Sequence, residues 1–131
     1  MQSPPRVGSS YEKRFRVEPN HTVEFSDDGV PPVLATPWLI WFLEHTALDL
    51  MRPHLEPGEM TVGVQVDVEH LAPTPQGEEV ICMARVVHSD GPLVSFQVEA
   101  RDRHGQIARG LHKRRVVNAV RFAEGVKRRH S

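Results

Sequence analysis

The chain has a single cysteine among 131 residues, Cys82, so no internal disulfide can form. It lies in a strand-like run, where a small buried hydrophobe is a commoner role than a nucleophile. Long apolar runs are missing too. The longest uncharged stretch, Val30 to Leu43, is interrupted by Pro31, Pro32 and Pro37 and is too short to cross a bilayer. The opening MQSPPR has no apolar signal-peptide character, so a cytoplasmic protein without membrane contact is expected. Eight histidines are present, but none has the spacing of a helical HxxxH pair or a Cys/His knuckle, and no metal site is expected. No Gly-rich phosphate loop follows a strand and no GxSxG elbow occurs, which excludes nucleotide-fold and α/β-hydrolase readings.

What is present reads as one globular domain over residues 1–131, with 39% hydrophobic and 25% charged residues and a loose, Pro/Ser/Gly-rich stretch at 1–10. The net charge of −1 conceals an asymmetry. Residues 1–100 carry 6 Lys/Arg against 15 Asp/Glu, and residues 101–131 carry 10 against 2. A basic block of this kind serves phosphate binding or simple solvation of strand and helix faces. Nucleic-acid binding is disfavoured, because the block lacks the interleaved aromatics of single-strand binders and any groove-reading motif.

The spacing predicts a helix over Thr36 to Arg52, with Thr36 as its cap and Pro37 at the first helical position. Trp38 to Leu43 are six consecutive apolar residues, as expected of a helix enclosed by other structure. Glu44 has Ile40, Trp41, Ala47 and Leu48 as its helical neighbours and should be buried, whereas Asp49, flanked by His45, Thr46 and Arg52, should be solvated. A buried carboxylate needs a donor from elsewhere in the fold.

Around this helix the sequence alternates. Tyr11 to Val17 is a weak strand, suited to an edge, and Asn20 to Ala35 reads as a long loop at a substrate entrance. In Met60 to His70, Val62, Val64, Val66 and Val68 share one face, and His70 falls on it. Strands over Glu78–Val87, Leu93–Arg101 and Gln106–Val117 follow through short turns, so the sheet is expected to be antiparallel. Ala108 and Gly110 are small enough to let a helix approach the last strand. Asn118 caps a short basic helix ending in Lys127, Arg128 and Arg129. The fold class is therefore α+β, an antiparallel sheet of about five strands wrapped around one long central helix.

Thr36, Glu44 and His70 are the chemical candidates. Each has a structural explanation as cap, core carboxylate or strand-end histidine. Together they suggest a histidine that pairs with Glu44 and acts as general acid or base beside the helix N-terminus, whose N–H groups face a developing oxyanion. Eight residues of helix rise about 12 Å, so Thr36 and Glu44 do not touch directly.

The ATPWLIWFLE helix start, the TVGVQVDVEHLAPTPQG strand and turn and the GLHKRRVV last strand resemble the hotdog-fold thioesterases, most closely the fluoroacetyl-CoA thioesterase-like group. The resemblance implies an acyl-CoA thioesterase acting on a small acyl-CoA thioester, with Thr36, Glu44 and His70 as catalytic set. It also implies Gly63 at the acyl pocket, a homodimer with sites at the subunit interface, and coenzyme A as part of the substrate rather than a cofactor. Pro37 stands where the group has a glycine after the threonine. Phe25 is the single aromatic residue in the loop before the helix, where the group's lid carries phenylalanine. Arg114, with Lys113, Arg115, Arg121 and Lys127, is expected to meet the phosphates of coenzyme A. The alternative is a non-catalytic hotdog protein that binds an acyl-CoA or a protein partner.

Overall fold

The computed structural model describes residues 1–131, the side chains of residues 24 and 26 apart. A five-stranded antiparallel sheet is formed by β1 (Ser10–Arg16), β4 (Glu59–His70), β5 (Glu79–Asp90), β6 (Leu93–Asp102) and β7 (Gly105–Asn118), in the order β1-β5-β6-β7-β4. It curls around helix α1 (Thr36–Met51), and a short helix α2 (Ala119–Arg129) follows β7. This is the expected hotdog arrangement.

Alternation explains the core. Val80, Cys82, Ala84 and Val86 of β5 and Val94, Phe96, Val98 and Ala100 of β6 all point inward and are buried. They meet Leu39, Phe42, Leu43, Ala47 and Leu50 of α1. Each large side chain so enclosed contributes about 1.5–3 kcal/mol. The outer stripe of α1 is not enclosed. Trp41, on that side, is 41% exposed. Asp49, expected to be solvated, is instead mostly covered and pairs with Lys13 of β1 and Arg52. Both cations hold its carboxyl below the usual range against the opposing effect of burial.

Four further expectations are corrected. Residues 20–35 are not an open loop, because β2 (Thr22–Phe25) and β3 (Val30–Leu34) pair as a hairpin, with Gly29 turning at φ +71°. Phe25 lies opposite Val30 at its tip and is 43% exposed. Residues 1–10 are docked, not loose. The Met1 ammonium bonds Glu59 at 2.6 Å, the Gln2 amide donates to the His54 carbonyl, and Pro5 is buried. The valines of β4 do not share one face, because a bulge between Gly63 and Gln65 breaks the register with β7. One extra residue reverses the phase. Thr61 and Gly63 face inward before the bulge, and Val66, Val68 and His70 after it, opposite His112, Gly110 and Ala108. Finally, Gly110 admits the backbone of β4 rather than a helix. A methyl there would lie 2.1 Å from the Asp67 carbonyl oxygen.

Candidate active site

The N-terminus of α1 is fixed from three directions. Leu34 donates to the Thr74 carbonyl and Ala35 to that of His21, while the Leu71 amide donates to the Ile107 carbonyl and anchors the chain just after His70. Ala35, not Thr36, is the N-cap of the helix, and no side chain caps the first turn. Thr36 occupies the first helical position, where its hydroxyl lies 2.8 Å from Nδ1 of His70. Strand β4 thus ends with its histidine against the first turn of α1. The expected capping role is withdrawn, since the hydroxyl is engaged by an imidazole.

Pro37 has no N–H, and the amides of Trp38 and Leu39 both donate to the Ala35 carbonyl at 3.0 Å. The Thr36 amide is therefore the first-turn donor left without a partner among the described residues. His70 Nε2 is buried without a hydrogen-bond partner. Burial lowers the proton affinity of this imidazole, with the Ala72 carbonyl acting the other way. A shallow cleft of about 190 Å³, lined by Val33, Leu34, His70, Leu71, Ala72 and Pro73, opens beside it. A larger groove of about 490 Å³ lies across the outer face of the sheet, between Asp67, Glu69, Gln97 and Arg109, away from these groups.

Glu44 does not meet His70 within the chain. Its carboxylate, 34% exposed at the side chain, accepts from Arg114 Nη1 at 3.4 Å. Gly63 makes room for it, since a methyl there would stand 2.6 Å from Glu44 Oε2. Arg114 is not displayed on the solvated face of β7 for a phosphate. It is buried, with Nε donating to Thr61 Oγ1 at 2.9 Å and Nη2 to the Thr61 carbonyl at 3.1 Å. Its Nη1 also lies 3.2 Å from Nε2 of His112. His112 and Thr61 are members of the site that the sequence reading missed. The signal for both was strand phase. His112 and Arg114 lie two and four residues beyond inward-facing Gly110, and the bulge brings Thr61 to the same face.

The sequence-predicted residues thus form two clusters. Thr36 and His70 make one, at the start of α1, with Pro37 beside them. Glu44, Gly63 and Arg114 make the other, about two helical turns on. Among the described residues, no group of three or more acidic, histidine or cysteine side chains is placed to hold a metal ion, and no helix is long and apolar enough to cross a membrane.

Known proteins resemble this chain over nearly its whole length. The family model for fluoroacetyl-CoA-specific thioesterases matches residues 17–120. The fluoroacetyl-CoA thioesterase of Streptantibioticus cattleyicolor is 32% identical over 137 aligned positions, covering 98% of this chain and 97% of its own. The solved structure of the fluoroacetyl-CoA thioesterase FlK superimposes with a TM-score of 0.88 at 31% identity, over 96% of this chain and 98% of that one. A threonine-to-serine mutant of FlK in complex with acetyl-CoA gives 0.89 at 30% identity, over 97% and 100% of the two chains. A thioesterase superfamily member from Thermus thermophilus gives 0.86 at 30%, over 95% and 93%.

Proposed function

The chain belongs to the fluoroacetyl-CoA-specific thioesterase family and is a thioester hydrolase; from that premise we propose that it cleaves a small acyl-CoA thioester between the Thr36–His70 pair and Glu44. The observation that carries the reading is the 2.8 Å contact between Thr36 Oγ1 and His70 Nδ1 at the start of α1. A hydroxyl within hydrogen-bond reach of an imidazole is the signature of a base-assisted attack. His70 takes the proton of the attacking oxygen, which Thr36 supplies or orients, and returns it to the departing thiolate sulfur. The Thr36 amide, at the positive end of α1, receives the negative charge that builds on the thioester oxygen. Hydrolysis consumes one water and releases the carboxylic acid and free coenzyme A.

Glu44 enters from a second copy of the chain. β4 is an edge strand of twelve residues, with Val64 and Val66 47% and 40% exposed, and such an edge is stabilised by pairing. A homodimer closed on this edge places Glu44 of one subunit against the Thr36–His70 pair of the other. Phe25, at the hairpin tip, and Pro37 border the acyl group, and Gly63 leaves room beside Glu44. The exposed cations Lys113, Arg115, Arg121 and Lys127 meet the coenzyme A phosphates, and the protein acts in the cytoplasm without a further cofactor.

The test is complementation with CoA thioesters of graded acyl length. His70→Ala and Glu44→Gln should each lower the rate about 10²–10⁴-fold in homodimers. Co-expressed, the two chains should recover activity, because one site of each mixed dimer is intact. Mixed dimers as inactive as either parent would refute the shared site, and His70→Ala homodimers with wild-type rates would refute the catalytic reading.

A further inference from the structure

His112 is 1% exposed, stacks near Phe96 with ring centroids 6.3 Å apart, and has both ring nitrogens engaged. Nδ1 lies 2.8 Å from the Gln65 carbonyl oxygen, and Nε2 lies 3.2 Å from Arg114 Nη1. The tautomer follows from the partners. A carbonyl only accepts and a guanidinium only donates, so Nδ1 carries the proton and Nε2 the lone pair, and the ring is neutral. Gln65 follows the β4 bulge directly, so the irregularity that turns Gly63 inward also sets the anchor for this ring.

Arg114 has three contacts that fix its plane: Thr61 Oγ1, the Thr61 carbonyl and His112 Nε2. The same Nη1 that meets His112 also meets Glu44. The ionisable groups facing His112 are Arg114 and Glu44, and burial together with the Arg114 charge lowers the affinity of the ring for a second proton. The Gln65 carbonyl and Glu44 act in the opposite direction.

We propose that His112 is a positioning residue for thioester hydrolysis: as the neutral Nδ1–H tautomer, anchored on the Gln65 carbonyl, it orients the Arg114 guanidinium so that Nη1 is held at the Glu44 carboxylate. This rests on the assignment of Glu44 to the reaction. His112 touches no substrate. It acts by narrowing the rotation of a side chain whose own placement decides where Glu44 rests, and sub-ångström placement of such groups has large effects on rate.

The experiment compares wild type, His112→Gln and His112→Phe, each also in the Glu44→Gln background, with melting curves to establish folding. Glutamine retains an acceptor for Arg114 and a donor for Gln65, whereas phenylalanine keeps only the ring. His112→Phe should lower kcat about tenfold or more with KM little changed, and His112→Gln should restore most of the loss. In the Glu44→Gln background the His112→Phe effect should shrink below about twofold, because both act through one group. A kcat loss that persists undiminished in that background, or a His112→Phe enzyme with wild-type kcat, overturns the proposal.

A second readout is independent of turnover. The Arg114 guanidinium protons should give separate, slowly exchanging NMR signals in wild type and His112→Gln, whereas in His112→Phe, with Thr61 still holding Nε and Nη2, the Nη1 signals should broaden and exchange faster. Should Glu44→Gln or the wild type contradict the assigned activity, the role in hydrolysis falls with it, and this readout decides only whether His112 holds the Arg114 guanidinium. Unchanged signals in a folded His112→Phe protein would overturn it.

Discussion

A methyl group added at Gly63 would act on the Glu44 cluster and on little else. It would stand 2.6 Å from Glu44 Oε2, 3.4 Å from His112 Cε1 and 3.5 Å from Arg114 Nη1. Non-bonded atoms settle near about 3.5 Å, so the carboxylate must retreat by roughly 0.9 Å while the other two groups accommodate the methyl almost in place. The retreat is away from Gly63, the side on which Arg114 Nη1 also lies. The Glu44–Arg114 contact, already 3.4 Å long, is therefore lost. A charge-assisted hydrogen bond contributes about 1.5–3 kcal/mol when dry. With 34% of the Glu44 side chain exposed, water screens the pair and reduces this to about 1 kcal/mol. Gly63→Ala should then melt only a few degrees below wild type. Its kcat/KM should fall far more, up to about 10²-fold, because a displacement near 1 Å of a group at the reacting centre has that effect. Thermal melts and hydrolysis rates on one preparation separate the two. A folded Gly63→Ala protein with wild-type kcat/KM would refute the placement of Glu44 in the reaction.

Thr36→Ala should lose most hydrolysis with a melting temperature within a few degrees of wild type, because the hydroxyl caps nothing, and Thr36→Ser should retain substantial activity; a large stability loss in Thr36→Ala would contradict this. Both His70 and His112 have folded-state proton affinities below the ordinary 6.5, so the unfolded chain binds protons that the folded chain refuses. Their contribution is fully present above pH 6.5 and should be lost as pH falls from there through the lower folded-state values, seen as declining denaturant midpoints. Gly110→Ala should be severely destabilised, because its methyl would meet the backbone of Asp67 and Val68 at 2.1 and 2.7 Å, and backbone cannot step aside as a carboxylate can. A melting temperature equal to wild type would show that β4 shifts without cost.

The elements whose residues carry their own instructions were legible. Alternation in β5 and β6, the turns at Gly77, Gly91 and Gly105, and the Asn118 side chain accepting from the Arg121 amide all rest on neighbours a few residues apart. The hairpin at 22–34 was missed because Pro31 and Pro32 read as loop, yet they lie where the β2–β3 register shifts, between the Val23–Val33 and Phe25–Val30 pairs, and such an irregularity tolerates prolines. The β4 bulge was missed because an inserted residue has no compositional mark, and reading valines by strict alternation assigned Val62 to the wrong face.

By itself the sequence determined the class of fold and the position of the central helix, and it singled out Thr36, Glu44 and His70 as candidates for the chemistry. It did so because period, proline and glycine act locally, and because a carboxylate among apolar helix neighbours announces that it needs a partner. Only the tertiary structure decided the partners. Thr36 meets a histidine 34 residues away, and Glu44 an arginine 70 residues away, instead of that histidine. Those pairings depend on sheet curvature and on one bulge that reverses the face of β4, quantities set by the packing of the whole domain and written in no short stretch of it.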